Sequence, residues 1–271
     1  MQSASQLKQI ADELRYMALE AIVKGGSGHP GGSLSLADIM SVLYFDVMQV
    51  DPKDPKKADR DRFVLSKGHA SPILYAALAK KGFFDRNELL KLRHVDSFLQ
   101  GHPDMKHTAG VDMSTGSLGQ GISAACGMAM AAKLTASNYR VYTVLGDGEM
   151  NEGEVWEALM FASHNSLSNL TVIVDHNGLQ IDGSNDEVMS LKNIKAKLEA
   201  FDLNTIEIDG HDYEQILQAF ARARECENRP TVILANTIKG KGVSFMENQV
   251  GWHGKAPSEQ ELLQAKEELG V

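Results

Sequence analysis

Short apolar runs alternating with helix-length segments predict an α/β domain, doubly wound, with a mainly parallel sheet and helices on both faces. Two runs, Val141–Leu145 and Leu170–Val174, end in the turns Gly146-Asp147-Gly148 and Asp175-His176-Asn177-Gly178. A segment with helical spacing separates them, which is the pattern of a strand–helix–strand crossover. A second pair of runs, Asn204–Ile208 and Pro230–Ala235, brackets the amphipathic stretch Tyr213–Arg224. The chain of 271 residues is 43% hydrophobic and 23% charged, enough for a full core, and no internal boundary divides it. One domain over residues 1–271 is expected, with a C-terminal extension from about residue 244.

In order, Ser3 with Gln6 reads as a capping box opening a helix whose apolar face is Leu7, Ile10, Leu14, Met17 and Ala21. Gly25-Gly26 ends it, and Ser27–Gly32 reads as a glycine-rich turn carrying His29. Ser35 and Asp38 open a second helix facing inward through Leu36, Ile39, Leu43 and Val47. Asp51–Arg62, with alternating charges around Pro52 and Pro55, reads as a solvated connection. Phe63-Val64-Leu65 is a strand leading into Ser66–Pro72, a loop that places His69 after the strand, and an alanine-rich helix follows to Lys80. A short helix is expected at Asn87–Leu92. Ser114–Gly121 enters a helix built of small residues, which implies close packing against a sheet or a partner chain. Beyond the central crossover, Leu191–Phe201 reads as helical and Pro230 sits at the first residue of its strand, where a missing N–H is tolerated. Ser258 and Glu261 cap a last helix.

The formal net charge of −9 argues against a nucleic-acid surface and against an anionic membrane face. An anionic ligand therefore needs local help from a metal, helix ends or histidines. Cys126 and Cys226 fall in separate helical patterns and suggest no disulfide framework. With no signal peptide or long apolar span, the cytoplasm is the expected compartment.

In a parallel sheet, ligands collect beyond the carboxyl ends of the strands, where Asp147 and Asn177 project. Gly146 and Gly148 let backbone approach a phosphate, and the next helix directs N–H groups toward it. Side-chain oxygens of Asp147 and Asn177 suit a hard cation such as magnesium. Either turn alone is an ordinary Gly-Asp-Gly or Asn-Gly turn; the pair at successive strand ends is the stronger pattern. His94, His102 and His107 have no compact zinc spacing, no Gly-Lys-Ser/Thr follows Ser27–Gly32, and the dinucleotide fingerprint is not matched.

Five ordered motifs carry a family resemblance: SGHPGG at Ser27–Gly32, SKGHA at Ser66–Ala70, GHPD at Gly101–Asp104, STGSLGQG at Ser114–Gly121 and GDGEMNEGE from Gly146, with Asn177 thirty positions after Asp147. Together they resemble the amino-terminal, diphosphate-binding half of transketolases, over about Leu7 to Pro257. The run from Lys239 to Glu247 resembles the form found where the enzyme is split into two polypeptides. The resemblance implies a thiamine-diphosphate fold that transfers a two-carbon ketol unit from a ketose phosphate to an aldose phosphate. It implies magnesium, or calcium or manganese in its place, held by Asp147, Asn177 and the Leu179 carbonyl. Gly148, His69 and His253 would contact the diphosphate, with Asn177 beside it, and Gly116, Ser117 and Leu118 would line the rest of the cofactor. His29, His102 and His253 would face substrate as histidines titrating near neutrality, and Glu152 would be a buried acid communicating across the subunit interface.

The family's pyrimidine-binding glutamate and most of its sugar-phosphate contacts lie in the other half. The resemblance therefore implies a separate C-terminal subunit with pyrimidine-binding and C-terminal domains, an α2β2 assembly and an isolated chain without turnover. The alternatives are half of a deoxyxylulose-phosphate synthase, the α subunit of a 2-oxoacid dehydrogenase, or a non-catalytic remnant of the fold. Histidines at 29, 69 and 102 favour ketol transfer, which must handle sugar hydroxyls.

Overall fold

The computed structural model describes residues 2–271. Its centre is a sheet of five parallel strands in the order β1-β2-β3-β5-β4: β1 Arg62–Leu65, β2 Val141–Gly146, β3 Leu170–His176, β4 Asn204–Asp209 and β5 Thr231–Asn236. The register sets Gly146 opposite Asp175 and His176 opposite Asn236, so the strands finish together along one edge. Alternate side chains feed two cores. Phe63, Leu65, Tyr142, Val144, Ile173, Ile206 and Ile233 point to one face; Val64, Val141, Leu145, Val172, Val174, Val232 and Leu234 point to the other. Burial on both faces is why these strands read as continuous apolar runs.

Helix α1 spans Ala4–Lys24 behind the expected Ser3–Gln6 capping box. Leu7, Leu14, Leu19 and Ile22 are fully buried on it, each stabilising the fold by about 2 kcal/mol. The Ser27–Gly32 stretch is only half a turn. Helix α2, Pro30–Leu34, starts inside it, because Pro30 stands at a first helical position whose missing N–H costs nothing. Gly31 suits this close packing: a Cβ would lie 3.0 Å from the Trp252 carbonyl oxygen and the Lys239 side chain.

Helix α3 runs Ala37–Val42 and continues as a π turn, Leu43–Val47. Ser35 does not cap it; the Ser35 hydroxyl donates to Asp175 at 2.6 Å instead. The expected solvated connection before β1 is exposed over most of its length, but its end is not. Asp61 is buried, accepting from the Gln49 and Arg140 amides, and Arg60 pairs with Asp112.

Helix α4, Ser71–Lys81, follows β1, and Arg86–Lys91 forms a 3-10 turn. Small-residue helix α5, Gln120–Leu134, packs against α6, Gly153–His164, and against β1 and β2. A one-turn helix α7, Asn185–Val188, precedes α8, which begins at Ile194 rather than Leu191 because Asn193 accepts from the Ala196 amide and caps it. Helix α9, Tyr213–Glu225, links β4 to β5, and Cys226 lies just past its end rather than within it. Helix α10, Glu259–Leu269, closes on α1 through a third cluster with Leu19, Leu34, Val243, Met246 and Trp252. No described helix is long and apolar enough to cross a membrane.

Candidate functional site

Four neighbouring strands deliver their carboxyl ends to one cavity of about 340 Å³. From β1 come Lys67 and His69, from β2 Asp147 and Gly148, from β3 Asn177 and Leu179, and from β5 Lys239. His29, Gly116, Leu118 and His253 complete the wall, together with Gln180 and Ile181.

Asp147 is buried, and both of its oxygens are engaged. Oδ1 accepts from the Gly148 amide at 2.8 Å; Oδ2 accepts from the Gly178 amide at 2.6 Å and the Asn185 side chain at 2.9 Å. These bonds draw the loop after β3 onto the end of β2. Burial, and then the neighbouring charge of Asp175, push the Asp147 carboxyl above its usual range. A carboxylate held this way gains from any cation brought beside it. Asn177 donates from Nδ2 to Asp175 at 3.2 Å and accepts from the Leu179 amide on Oδ1 at 3.2 Å. The Leu179 carbonyl accepts from Lys239 Nζ at 3.3 Å.

Three imidazoles make the opposite wall. The ring centroids of His29, His69 and His253 lie 5.3 to 5.5 Å from one another. They do not titrate near neutrality in the ligand-free chain. Burial lowers His29 and His253 to about 4, helped by Arg93 and His102 at His29 and by Lys239 at His253. Burial and Lys67 hold His69 well below the ordinary range, and burial with Arg93 lowers His102. At neutral pH these rings are therefore neutral, each with one donor and one acceptor nitrogen. A histidine depressed in the folded state contributes fully above its unfolded value near 6.5 and loses that contribution as pH falls toward about 4. Thermal melts of the ligand-free chain should accordingly drop between pH 6.5 and 4.5, with a shallower drop in His253→Gln; an equal slope in that variant would refute the assignment.

Not every expected residue reaches the cavity. His102 and Ser117 are exposed outside its lining, although Gly116 packs on the His102 ring, where a Cβ would stand 3.1 Å away. Glu152 is exposed in the single chain rather than buried. The buried acid of that motif is Glu149, which accepts from Ser66 Oγ at 2.6 Å and from the Gly119 and Gly146 amides, fastening the STGSLGQG loop to β2.

Three residues of the site have no role assigned from the sequence: Lys67, Asp175 and Lys239. Lys67 is 1% exposed and pairs with the wholly buried Asp175. Lys239, 2% exposed, bonds His253 Nδ1 at 3.0 Å, and burial lowers its ammonium to about 8. Both lysines fall within stretches that carry the family resemblance, but nothing local to either marks it as buried.

The donor set fits a hard divalent cation carrying a diphosphate. It offers one carboxylate, one amide oxygen and one backbone carbonyl, with no convergence of three or more His, Cys, Asp or Glu side chains among the described residues. His29 Nδ1 is buried without a partner, and at Gly148 a Cβ would crowd the Gln180 side chain at 3.0 Å.

Comparison with known proteins agrees with this geometry. Residues 6–271 match the family described as "Transketolase, thiamine diphosphate binding domain". The "6-deoxy-6-sulfo-D-fructose transketolase subunit SqwG" of Clostridium sp. (strain MSTE9) is 44% identical over 97% of this chain and 96% of that protein. One subunit of the apulose-4-phosphate transketolase of Phocaeicola vulgatus is 39% identical over 96% of this chain and 92% of that protein. Human transketolase is 46% identical over 94% of this chain, which spans only 40% of the human protein. The crystal structure of transketolase from Campylobacter jejuni superposes with a TM-score of 0.94 at 35% identity, covering 100% of this chain and 43% of that one. The chain belongs to the transketolase family and constitutes its thiamine diphosphate-binding domain.

Proposed function

We propose that this chain is the subunit of a two-chain transketolase that holds magnesium and the diphosphate end of thiamine diphosphate. Ketol transfer between a ketose phosphate and an aldose phosphate, as in the pentose phosphate pathway, then requires a separate subunit with pyrimidine-binding and C-terminal domains, most simply as α2β2. The observation that carries this reading is the convergence of Asp147, Asn177 and the Leu179 carbonyl at adjacent strand ends, facing the His29–His69–His253 wall.

Asp147, Asn177 and Leu179 would ligate the magnesium, or calcium or manganese in its place. His69, His253 and the Gly148 amide would hold the diphosphate, joined by Lys239 from the floor, while Gly116, Ser117 and Leu118 line the remainder. When bound, thiamine diphosphate supplies the electron sink that carbon–carbon cleavage needs. His29, His102 and His253 orient the sugar's carbonyl and hydroxyl oxygens and exchange protons with them. A neutral imidazole can do both, because it donates at one nitrogen and accepts at the other. Glu152, exposed here, would be covered by the neighbouring subunit.

The two relatives of matching length are each named as one subunit of a transketolase, which supports division of the enzyme between chains. Purified chain with thiamine diphosphate and magnesium should show no ketol transfer from xylulose 5-phosphate, and addition of the partner subunit should restore it. Robust turnover by the chain alone would overturn the split-subunit reading. Turnover of pyruvate in place of the ketose, with the partner present, would instead favour the deoxyxylulose-phosphate synthase or 2-oxoacid dehydrogenase alternatives.

A further inference from the structure

At the base of the cavity, where Lys67 forms part of the wall, lies a polar cluster to which no ligand contact has been assigned. Asp175, at 0% exposure, is the last fully buried residue of β3, and Lys67, at 1%, lies just beyond β1. The two side chains form a buried ion pair in which Lys67 Nζ also donates to the Gly32 carbonyl at 2.8 Å. Asp175 collects four donors: Lys67, the Ser35 hydroxyl at 2.6 Å, the Thr237 hydroxyl and Asn177 Nδ2 at 3.2 Å.

Such an arrangement is expensive to build from desolvated charges, and well-packed apolar pairs often replace buried ion pairs without loss of stability. Its connections suggest what it is for. An ionised carboxylate can only accept hydrogen bonds, so the edge of Asn177 that faces Asp175 must be its NH2. That fixes the amide flip and turns Oδ1 away from Asp175, toward the loop that carries Leu179. The same ion pair ties Gly32, and with it the helix that follows His29, to β3. One buried pair thus sets the orientation of a candidate metal ligand and the seat of the first histidine loop.

We propose that Lys67 and Asp175 are positioning residues that hold the Asn177 amide oxygen toward the divalent cation and keep the His29 loop in place. This rests on the metal reading given under Proposed function. It assigns the two residues a task distinct from stabilising the fold, since residues behind metal ligands orient them rather than bind the metal.

The chain, combined with its partner subunit and millimolar thiamine diphosphate, is titrated with Mn2+ and free Mn2+ is followed by its electron paramagnetic resonance. The double variant Lys67→Met/Asp175→Leu removes both charges while keeping the volume filled. It should keep its circular dichroism and melting temperature yet bind Mn2+ at least about tenfold more weakly. A second variant, Ser35→Ala/Thr237→Val, keeps the ion pair and frees the carboxylate to rotate; it should weaken Mn2+ by about threefold, less than the usual cost of losing a residue behind a metal ligand. If the first variant does not fold, the second still decides the matter. Wild-type Mn2+ affinity in every folded variant overturns the positioning role and leaves the metal reading intact. Failure of the wild-type chain to take up Mn2+ overturns both.

Discussion

Asp147→Ala is expected to abolish magnesium-dependent retention of thiamine diphosphate, weakening it by more than about a hundredfold, beyond the range seen for residues that merely orient a ligand. Asp147 is the one carboxylate among the three proposed metal ligands, so its loss leaves two neutral oxygens facing a divalent cation. The same substitution should not destabilise the ligand-free chain in proportion. Burial and the charge of Asp175 raise the Asp147 carboxyl above its usual range, so folding it ionised is unfavourable at neutral pH. For a raised carboxyl the penalty is present above the folded-state value and is relieved as pH falls through it, or as a cation binds. Asp147→Asn should therefore match or exceed the wild-type melting temperature without ligand and lose the increase that magnesium with thiamine diphosphate gives the wild type. Equilibrium dialysis and thermal melts of the two proteins check this; a magnesium-dependent increase that persists in Asp147→Asn would remove Asp147 from the ligand set.

Local chemistry makes much of this legible in the sequence. Asp147 and Asn177 stand out because each follows an apolar run and sits beside glycine, and such turns occur where parallel strands end. The capping boxes at Ser3 and Ser258 are readable for the same reason: partner and cap are three residues apart. What the sequence hides depends on pairings distant along the chain. Ser35 has the look of a helix cap and instead donates to Asp175, 140 positions away. Lys67 has the look of a surface loop residue, yet its partner is 108 positions away. The histidines illustrate a further limit. Their motifs can place them near substrate, but their protonation depends on burial and on Arg93, Lys67 and Lys239, which only the folded chain brings beside them. Glu152 marks the opposite case: the resemblance implies a buried acid, and the folded chain leaves it exposed.

The second large effect is expected far from the cavity, at Asp38. This carboxylate is 4% exposed and accepts from Arg15, itself 3% exposed, from His211 Nδ1 at 2.7 Å and from the Tyr213 hydroxyl. It joins α1, α3 and α9 at one point. Burial alone would raise its carboxyl, but Arg15 and the hydrogen bonds from His211 and Tyr213 hold it far below the usual range. Asp38→Ala takes from the buried Arg15 guanidinium the nearer of its two carboxylates, leaving Asp12 at 3.1 Å, and strips His211 and Tyr213 of their acceptor; it should cost about 3 kcal/mol, read from chemical denaturation. A depressed carboxyl contributes fully above its unfolded value near 3.8 and loses that contribution as pH falls toward the folded one, so wild type and Asp38→Ala should differ most at neutral pH and converge in acid. The network also reaches the site. His211 Nε2 accepts from the Ile238 amide at 2.9 Å, and Ile238 precedes Lys239, which bonds both His253 and the Leu179 carbonyl. With Nε2 an acceptor, the His211 proton must sit on Nδ1 and point at Asp38, so the carboxylate fixes the tautomer that anchors the lysine's loop. His211→Phe should therefore weaken diphosphate binding while costing less stability than Asp38→Ala, because it leaves the Arg15–Asp38 pair in place. Equal losses of stability in the two variants, or unchanged cofactor affinity in His211→Phe, would confine the network to holding the helices together.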